Sequence, residues 1–165
     1  VKDSVEAVKN EDESQGYDYF NKDIRNTGVE LSVTLAHDNK WTSRWGITYH
    51  NPQVRDDNPD GYADNTWHDY GSRYQFNSSL SYVDAKFSST LKANFVGDRT
   101  SDTKEQRHIK PQLFTDWHFS YQPQENHKVF LHINNILDRR DIVSTGNSNY
   151  YNLGRNFMLG YEYIF

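Results

Sequence analysis

From about residue 28 to the end of the chain, apolar side chains return at every second position, the period of a strand with one covered face. Seven strands are well marked, at 28–36, 43–50, 74–82, 86–98, 112–121, 128–134 and 156–165, and a weaker one occupies the first few residues. One parity of each strand is apolar: Val29, Leu31, Val33 and Leu35 in the first, Phe87, Leu91, Ala93 and Phe95 in the fourth, Phe157, Leu159, Tyr161, Tyr163 and Phe165 in the last. No position of that parity is charged. The opposite parity carries Glu30, Arg44, Lys92, Asp116, His118, His132 and Glu162.

The connections alternate in length as well. Asp38-Asn39-Lys40, Asp84-Ala85 and Pro123-Gln124-Glu125-Asn126 read as tight turns, whereas roughly 10–22, 51–73, 99–111 and 138–155 read as long polar loops. Short turns therefore gather at one end of the sheet and long loops at the other. Together these patterns predict an antiparallel transmembrane β-barrel segment of about eight strands, apolar toward lipid and polar toward the lumen, with short periplasmic turns and long extracellular loops. Such a sheet has to close, because lipid cannot satisfy a free edge. A soluble β-sandwich or lipocalin-like barrel also alternates, but its loop lengths do not segregate this way and its core face seldom holds so many large aromatics. Tyr82, Phe87, Tyr121, Tyr161, Tyr163 and Phe165 fall beside the short-turn end, where a barrel places an interfacial aromatic girdle.

Composition sharpens this picture. With 35% hydrophobic residues and a mean hydropathy of −0.99 the chain has the average polarity of a disordered one, yet 15% of it is Phe, Trp or Tyr, which disordered chains lack. The apolar content is arranged rather than abundant. No apolar run exceeds three residues, so no helix of about 20 apolar residues spans a bilayer. The absence of cysteine excludes a disulfide scaffold, a thiolate metal site and a catalytic thiol. The net charge of −5 argues against nucleic acid as a partner.

The run Val129-Phe130-Leu131-His132-Ile133-Asn134-Asn135-Ile136-Leu137-Asp138-Arg139, and then Tyr151-Asn152-Leu153-Gly154-Arg155-Asn156-Phe157-Met158-Leu159-Gly160-Tyr161-Glu162-Tyr163-Ile164-Phe165, resembles the final hairpin of TonB-dependent outer-membrane receptors. Tyr161, Tyr163 and Phe165 are similar to the outer-membrane assembly signal. Upstream, Asn26-Thr27-Gly28-Val29-Glu30-Leu31 resembles a strand start that recurs in the family, and Val1-Lys2-Asp3-Ser4-Val5 looks like one of its mid-strand segments. Receptors of that family enclose a plug domain in a barrel of about 22 strands. The resemblance implies that residues 1–165 are the C-terminal third of such a barrel, with the plug elsewhere. It also implies partners: the remaining strands and plug, the TonB energy-transducing complex, outer-membrane lipid and lipopolysaccharide, and an iron chelate as cargo, ferric siderophore before haem or cobalamin. Neither a cofactor nor an enzymatic activity is expected. The rival is a self-contained eight-stranded outer-membrane barrel, structural and adhesin-like or lipid-modifying, whose chain length would also be near 165 residues.

Four constellations carry candidate chemistry. The loop residues Tyr62, Trp67, His68 and Tyr70, with Arg55, Arg99, Arg107 and His108, mix aromatic faces with cations, which suits an anionic aromatic iron chelate and equally suits lipopolysaccharide. His118 and His132 share the lumen parity and stand opposite each other if Tyr121 pairs with Val129, either as a metal or pH-sensing pair or as polar contacts to a plug. Asp56-Asp57-Asn58-Pro59-Asp60-Gly61 opens like an EF-hand loop, but its twelfth position is Trp67 where a bidentate Glu is needed, so an acidic turn is expected and no metal. Arg155 breaks the apolar parity ten residues before Phe165, about 25 Å up a tilted strand, where it can meet lipopolysaccharide phosphate or bond to the adjacent loop.

Overall fold

The computed structural model describes residues 4–9, 17–57, 67–100, 108–145 and 148–165. In chain order the strands are β1 (Ser4–Lys9), β2 (Tyr17–Ala36), β3 (Trp41–Asp57), β4 (His68–Asp69), β5 (Gly71–Ser72), β6 (Tyr74–Val83), β7 (Phe87–Val96), β8 (Arg99–Thr100), β9 (His108–Ile109), β10 (Gln112–Gln124), β11 (His127–Asn134), β12 (Ile142–Thr145), β13 (Asn149–Tyr151) and β14 (Asn156–Tyr163). Eight of them form one antiparallel meander, β1-β2-β3-β6-β7-β10-β11-β14, with β4 added beside β3. The others build two small sheets on the long connections, β5-β8-β9 and β12-β13. No helix occurs among the described residues. The chain is an antiparallel barrel segment.

All seven well-marked strands and the weaker first one are present. The sequence pattern differs from the structure in the reach of the first hairpin. β2 runs for 20 residues and β3 for 17, paired one to one from Asn21↔Asp57 to Ala36↔Thr42. About ten tilted residues suffice to cross a bilayer, so this ribbon continues well past it. There the apolar alternation vanishes while the ladder persists. That is why 17–27 and 51–57 look like loop in sequence.

Along the apolar parity, the hydrophobic side chains are exposed on β2, β3 and β14 and exposed or half-exposed on the strands between. Leu159 is 75% exposed, Val29 66% and Leu31 60%, while Val54 and Ile109 are the buried apolar side chains among the described residues. This inverts a water-soluble sandwich, and the register makes the apolar face continuous. Leu80, Leu91, Trp117, Ile133 and Phe157 stand side by side on five successive strands. Aromatic pairs bracket the band. Trp41–Tyr82 (5.0 Å), Phe87–Tyr121 (4.7 Å) and Tyr163–Phe165 (5.0 Å) lie at the short-turn end, and Tyr49–Tyr74 (5.2 Å) at the other. The opposite face pairs polar groups across strands, as in Ser81–Thr90 and Ser88–Ser120.

The tight turns are knit by their carboxylates. Lys40 N–H and Trp41 N–H both donate to Asp38 Oδ1 at 2.7 Å, which holds the Asp38 carboxyl below the usual carboxylate range. Lys40 Nζ reaches across to Asp84 Oδ2 at 2.5 Å, and Tyr82 OH donates to the same oxygen. At the last hairpin the ring of Phe130 lies over Gly160, its register partner, so closely that a Cβ there would sit 2.1 Å from Cζ. An aromatic ring covering a strand glycine compensates for the side chain it lacks.

Among the described residues β1 and β14 do not pair, so the sheet keeps two edges and the self-contained eight-stranded barrel is not formed. Refolded alone in detergent, residues 1–165 should therefore fail to give a monodisperse, heat-modifiable monomer. In the assembled barrel, Leu91→Arg should destabilise by about 2–4 kcal/mol, whereas Lys92→Gln, one residue away on the other face, should cost little. Urea unfolding midpoints in detergent check the contrast, and equal tolerance would mean that the lipid face is misassigned.

Candidate functional site

The long connections leave the sheet above the Tyr49–Tyr74 pair, and the side chains that gather there form three groups. The first sits on the β2–β3 ribbon. Arg25 Nε and Nη2 both donate to Gln53 Oε1, at 2.8 and 2.6 Å, and its guanidinium lies 4.1 Å from the centre of the Trp67 ring. Arg55 faces the same ring at 5.1 Å and pairs with Asp23 at 2.6 Å. Trp67 is held there because β4 pairs with β3, Val54↔His68 and Gln53↔Asp69. Arg73 and Gln53 both donate to Asp69, and Arg73 before Gln53 holds its carboxyl below the usual range.

The unbroken pairing of β2 with β3 fixes which way these side chains point. Asp23, Arg25, Gln53 and Arg55 share the parity of Val29, Leu31, Ile47 and Tyr49, the lipid side of the wall. Val54 and its partner His68 lie on the other parity, toward the lumen.

The second group closes the base of the last loop. Asn135 is buried and adopts a left-handed conformation, φ 54°. Its Nδ2 donates to the carbonyls of Arg139 and Leu153, its Oδ1 accepts from Arg139 N–H, and its own N–H donates to Asp116 Oδ1. Asp138, also left-handed, accepts the Arg155 N–H at 2.7 Å. Asn152 adds a reciprocal clasp, accepting from Asp141 N–H and donating to Arg139 O. The Asn-Asn-Ile-Leu-Asp-Arg run thus ties the end of β11 to the start of β14, across the β12–β13 hairpin. The Arg155 backbone bonds to the adjacent loop, while its side chain is exposed and has no ion-pair partner among the described residues.

The third group lies toward the lumen. Arg99 donates to Gln112 Oε1 (3.2 Å) and to Val143 O (2.7 Å), and burial pushes its guanidinium pKa down. Gln112 is itself buried and donates to Ile142 O. Arg99 is thus a half-buried cation held by neutral acceptors. Deeper in the barrel His118 and His132 are register partners, as the Tyr121↔Val129 pairing requires, with rings stacked at 4.3 Å. They line a groove of ≈ 250 Å³ with Ser88, Thr90 and Lys128. Among the described residues no set of three His, Asp or Glu is disposed to hold a metal ion.

The residues singled out in the sequence are thus divided. Arg55 and Trp67 come together on the outward side of β3–β4, and His68 lies on the other side of the same pairing. Tyr70 is next to them, exposed, with its N–H on Pro52 O. His108 lies apart, opposite Thr100 in the β5-β8-β9 sheet. Tyr62, Arg107 and residues 58–61 of the acidic turn lie outside the described residues. Arg25, Gln53, Asp69, Gln112 and Asn135 were missed. Only Asn135 had a signal, its place in the motif.

No protein-family model and no curated protein sequence matches the chain. Solved structures do. The FrpB iron transporter from Neisseria meningitidis matches with a TM-score of 0.72 at 17% identity, over 98% of this chain and 27% of that one. The pyoverdine outer-membrane receptor FpvA from Pseudomonas aeruginosa matches at 0.66 and 19%, over 99% and 26%. The copper transporter OprC matches at 0.73 and 14%, over 98% and 27%. The three are TonB-dependent outer-membrane receptors. The fold is therefore that of a stretch of such a receptor's barrel, and the chain spans about a quarter of the length of the structures it matches.

Asn135→Ala in the assembled barrel should lower stability by about 2–4 kcal/mol, because Leu153 O and Arg139 N–H lose their partner inside the loop base. Asn134→Ala, which removes an exposed bond to Asn156, should cost no more than about 1 kcal/mol. Urea midpoints of the two variants measure the difference.

Proposed function

We propose that this chain is wall and extracellular loops of a TonB-dependent receptor that imports a scarce nutrient chelate, ferric siderophore before others, across the bacterial outer membrane. The observation that carries the reading is the likeness of 98% of the chain to receptor barrels, on a sheet whose outward face is uncharged across the band. Iron transport stands in the names of several of those structures and copper in one, so iron is the first cargo to test. Cargo meets the lumen-side groups, His68 and Arg99, by parity and contact, and Tyr62, Tyr70, Arg107 and His108 join the binding set by residue type within the same long connections of the sequence. Arg99 suits an anionic chelate because no carboxylate among the described residues neutralises it. The stacked His118–His132 pair serves as polar lumen surface against a plug. Arg155 reaches the outer interface, where its guanidinium meets lipopolysaccharide phosphate. Tyr161, Tyr163 and the fully exposed Phe165 present the assembly signal. The plug and the TonB complex are the partners that would move cargo.

A strain lacking the receptor should lose uptake of labelled ferric siderophore, and regain it only when the energy-transducing complex is intact. Lost copper uptake with unchanged iron uptake would overturn the iron reading. Arg99→Gln should weaken chelate binding by about tenfold, read as Kd by fluorescence quenching, without altering heat-modifiability.

A further inference from the structure

Arg25 is the group that the import reading leaves unused. It lies on the lipid-side parity, four residues beyond Val29 and opposite Gln53, itself four beyond Tyr49. A tilted strand rises about 2.5 Å per residue along the membrane normal, so Arg25 stands about 10 Å above the Tyr49–Tyr74 girdle. That is the height of the outer-leaflet head groups, outside the wall and away from any path through the lumen.

Among the described residues no carboxylate compensates its charge. Arg55 is paired with Asp23, and Arg73 with Asp69, whereas Arg25 is held by the neutral Gln53 amide and the Trp67 face. No carboxylate among the described residues is within ion-pair distance of it, and the side chain is exposed. Gln53 takes two of the five guanidinium donors, through one oxygen, which leaves three not used by Gln53. The Trp67 ring lies over the guanidinium carbon, its centre 4.1 Å away, and restricts its movement. A clamped planar fork with a free edge is the donor set that recognises a phosphate oxygen pair, and clamping lowers the ordering cost of binding.

We propose that Arg25, set between Gln53 and Trp67, binds the phosphate of an anionic outer-leaflet glycolipid. The inference rests on the outer-membrane reading above. Arg155 is a second exposed cation of the outward parity, but it lies on β14, at the far side of the sheet. It cannot share the same head group.

The test uses the assembled receptor barrel, titrated in detergent with bisphosphorylated lipid A and read by native mass spectrometry. Wild type should bind it, and Arg25→Gln should bind about tenfold more weakly at unchanged heat-modifiability. Dephosphorylated lipid A should bind wild type no better than it binds Arg25→Gln. Millimolar inorganic phosphate should fail to displace the lipid; full displacement would make the ligand free phosphate and overturn the assignment to a lipid. Equal binding by wild type and Arg25→Gln overturns the site. If that variant does not fold, Arg25→Lys, which keeps the charge and loses the fork, decides in its place: weaker binding than wild type supports the site, and equal binding overturns it. Failure of the outer-membrane reading would show separately, as a wild-type protein that does not fractionate with the outer membrane or shift on heating.

Discussion

Hydrocarbon offers no hydrogen-bond partner to a backbone N–H or C=O, and each one left bare costs several kcal/mol. A sheet that lives there must satisfy its backbone through its own ladders, and this constraint orders the rest of the chain. It sets the nearest-neighbour meander of eight strands, in which every connection is a hairpin and none crosses over. It also removes the usual need for a core. The described residues bury two apolar side chains and expose more than a dozen large ones, the distribution of a sheet whose outer face is covered by lipid rather than water. The same constraint makes the two open edges, β1 and β14, the places where further strands have to join.

The sequence was most legible where two solvents meet the two faces of a strand. Leu31 and Glu30, Leu91 and Lys92, Leu131 and His132 are neighbours with opposite surroundings, so the alternation reports the fold directly. The register of the β10–β11 hairpin stayed a condition in the sequence, and the structure meets it: Tyr121 pairs with Val129 and brings His118 against His132. Legibility ended where the alternation stops. Tyr17–Asp23 and Asn51–Asp57 are paired strand, yet no periodic apolar signal marks them. Arg25 was hidden for that reason. Its partners Gln53 and Trp67 are 28 and 42 residues away, and only coordinates bring them together. The loop cations were recognisable as a class, but Arg55 facing outward and His68 facing inward follow from a parity count through β3 that a loop assignment forbids.

The motif near the C-terminus has a physical content that its letters conceal. Asn135 occupies a left-handed position that few side chains accept, and it spends both ends of its amide on three backbone groups of the loop, Arg139 N–H, Arg139 O and Leu153 O. Asp138 then fixes the first residue before β14. A long connection whose feet are held in this way can present its tip without loosening the strands that it joins.

Phe130 and Gly160 bear on a different problem, that of proofreading. A slip of one residue between β11 and β14 would turn the apolar face inward, and the alternation alone forbids it. A slip of two keeps every face correct and would pass that check. In such a slip Phe130 would stand opposite Met158 or Glu162, and the ring that now lies flat over a glycine would collide with a side chain. One aromatic ring and one missing Cβ thus favour the native register over a misregistered hairpin that hydrophobicity cannot distinguish, since in the slipped pairing the Phe130 ring has to move aside.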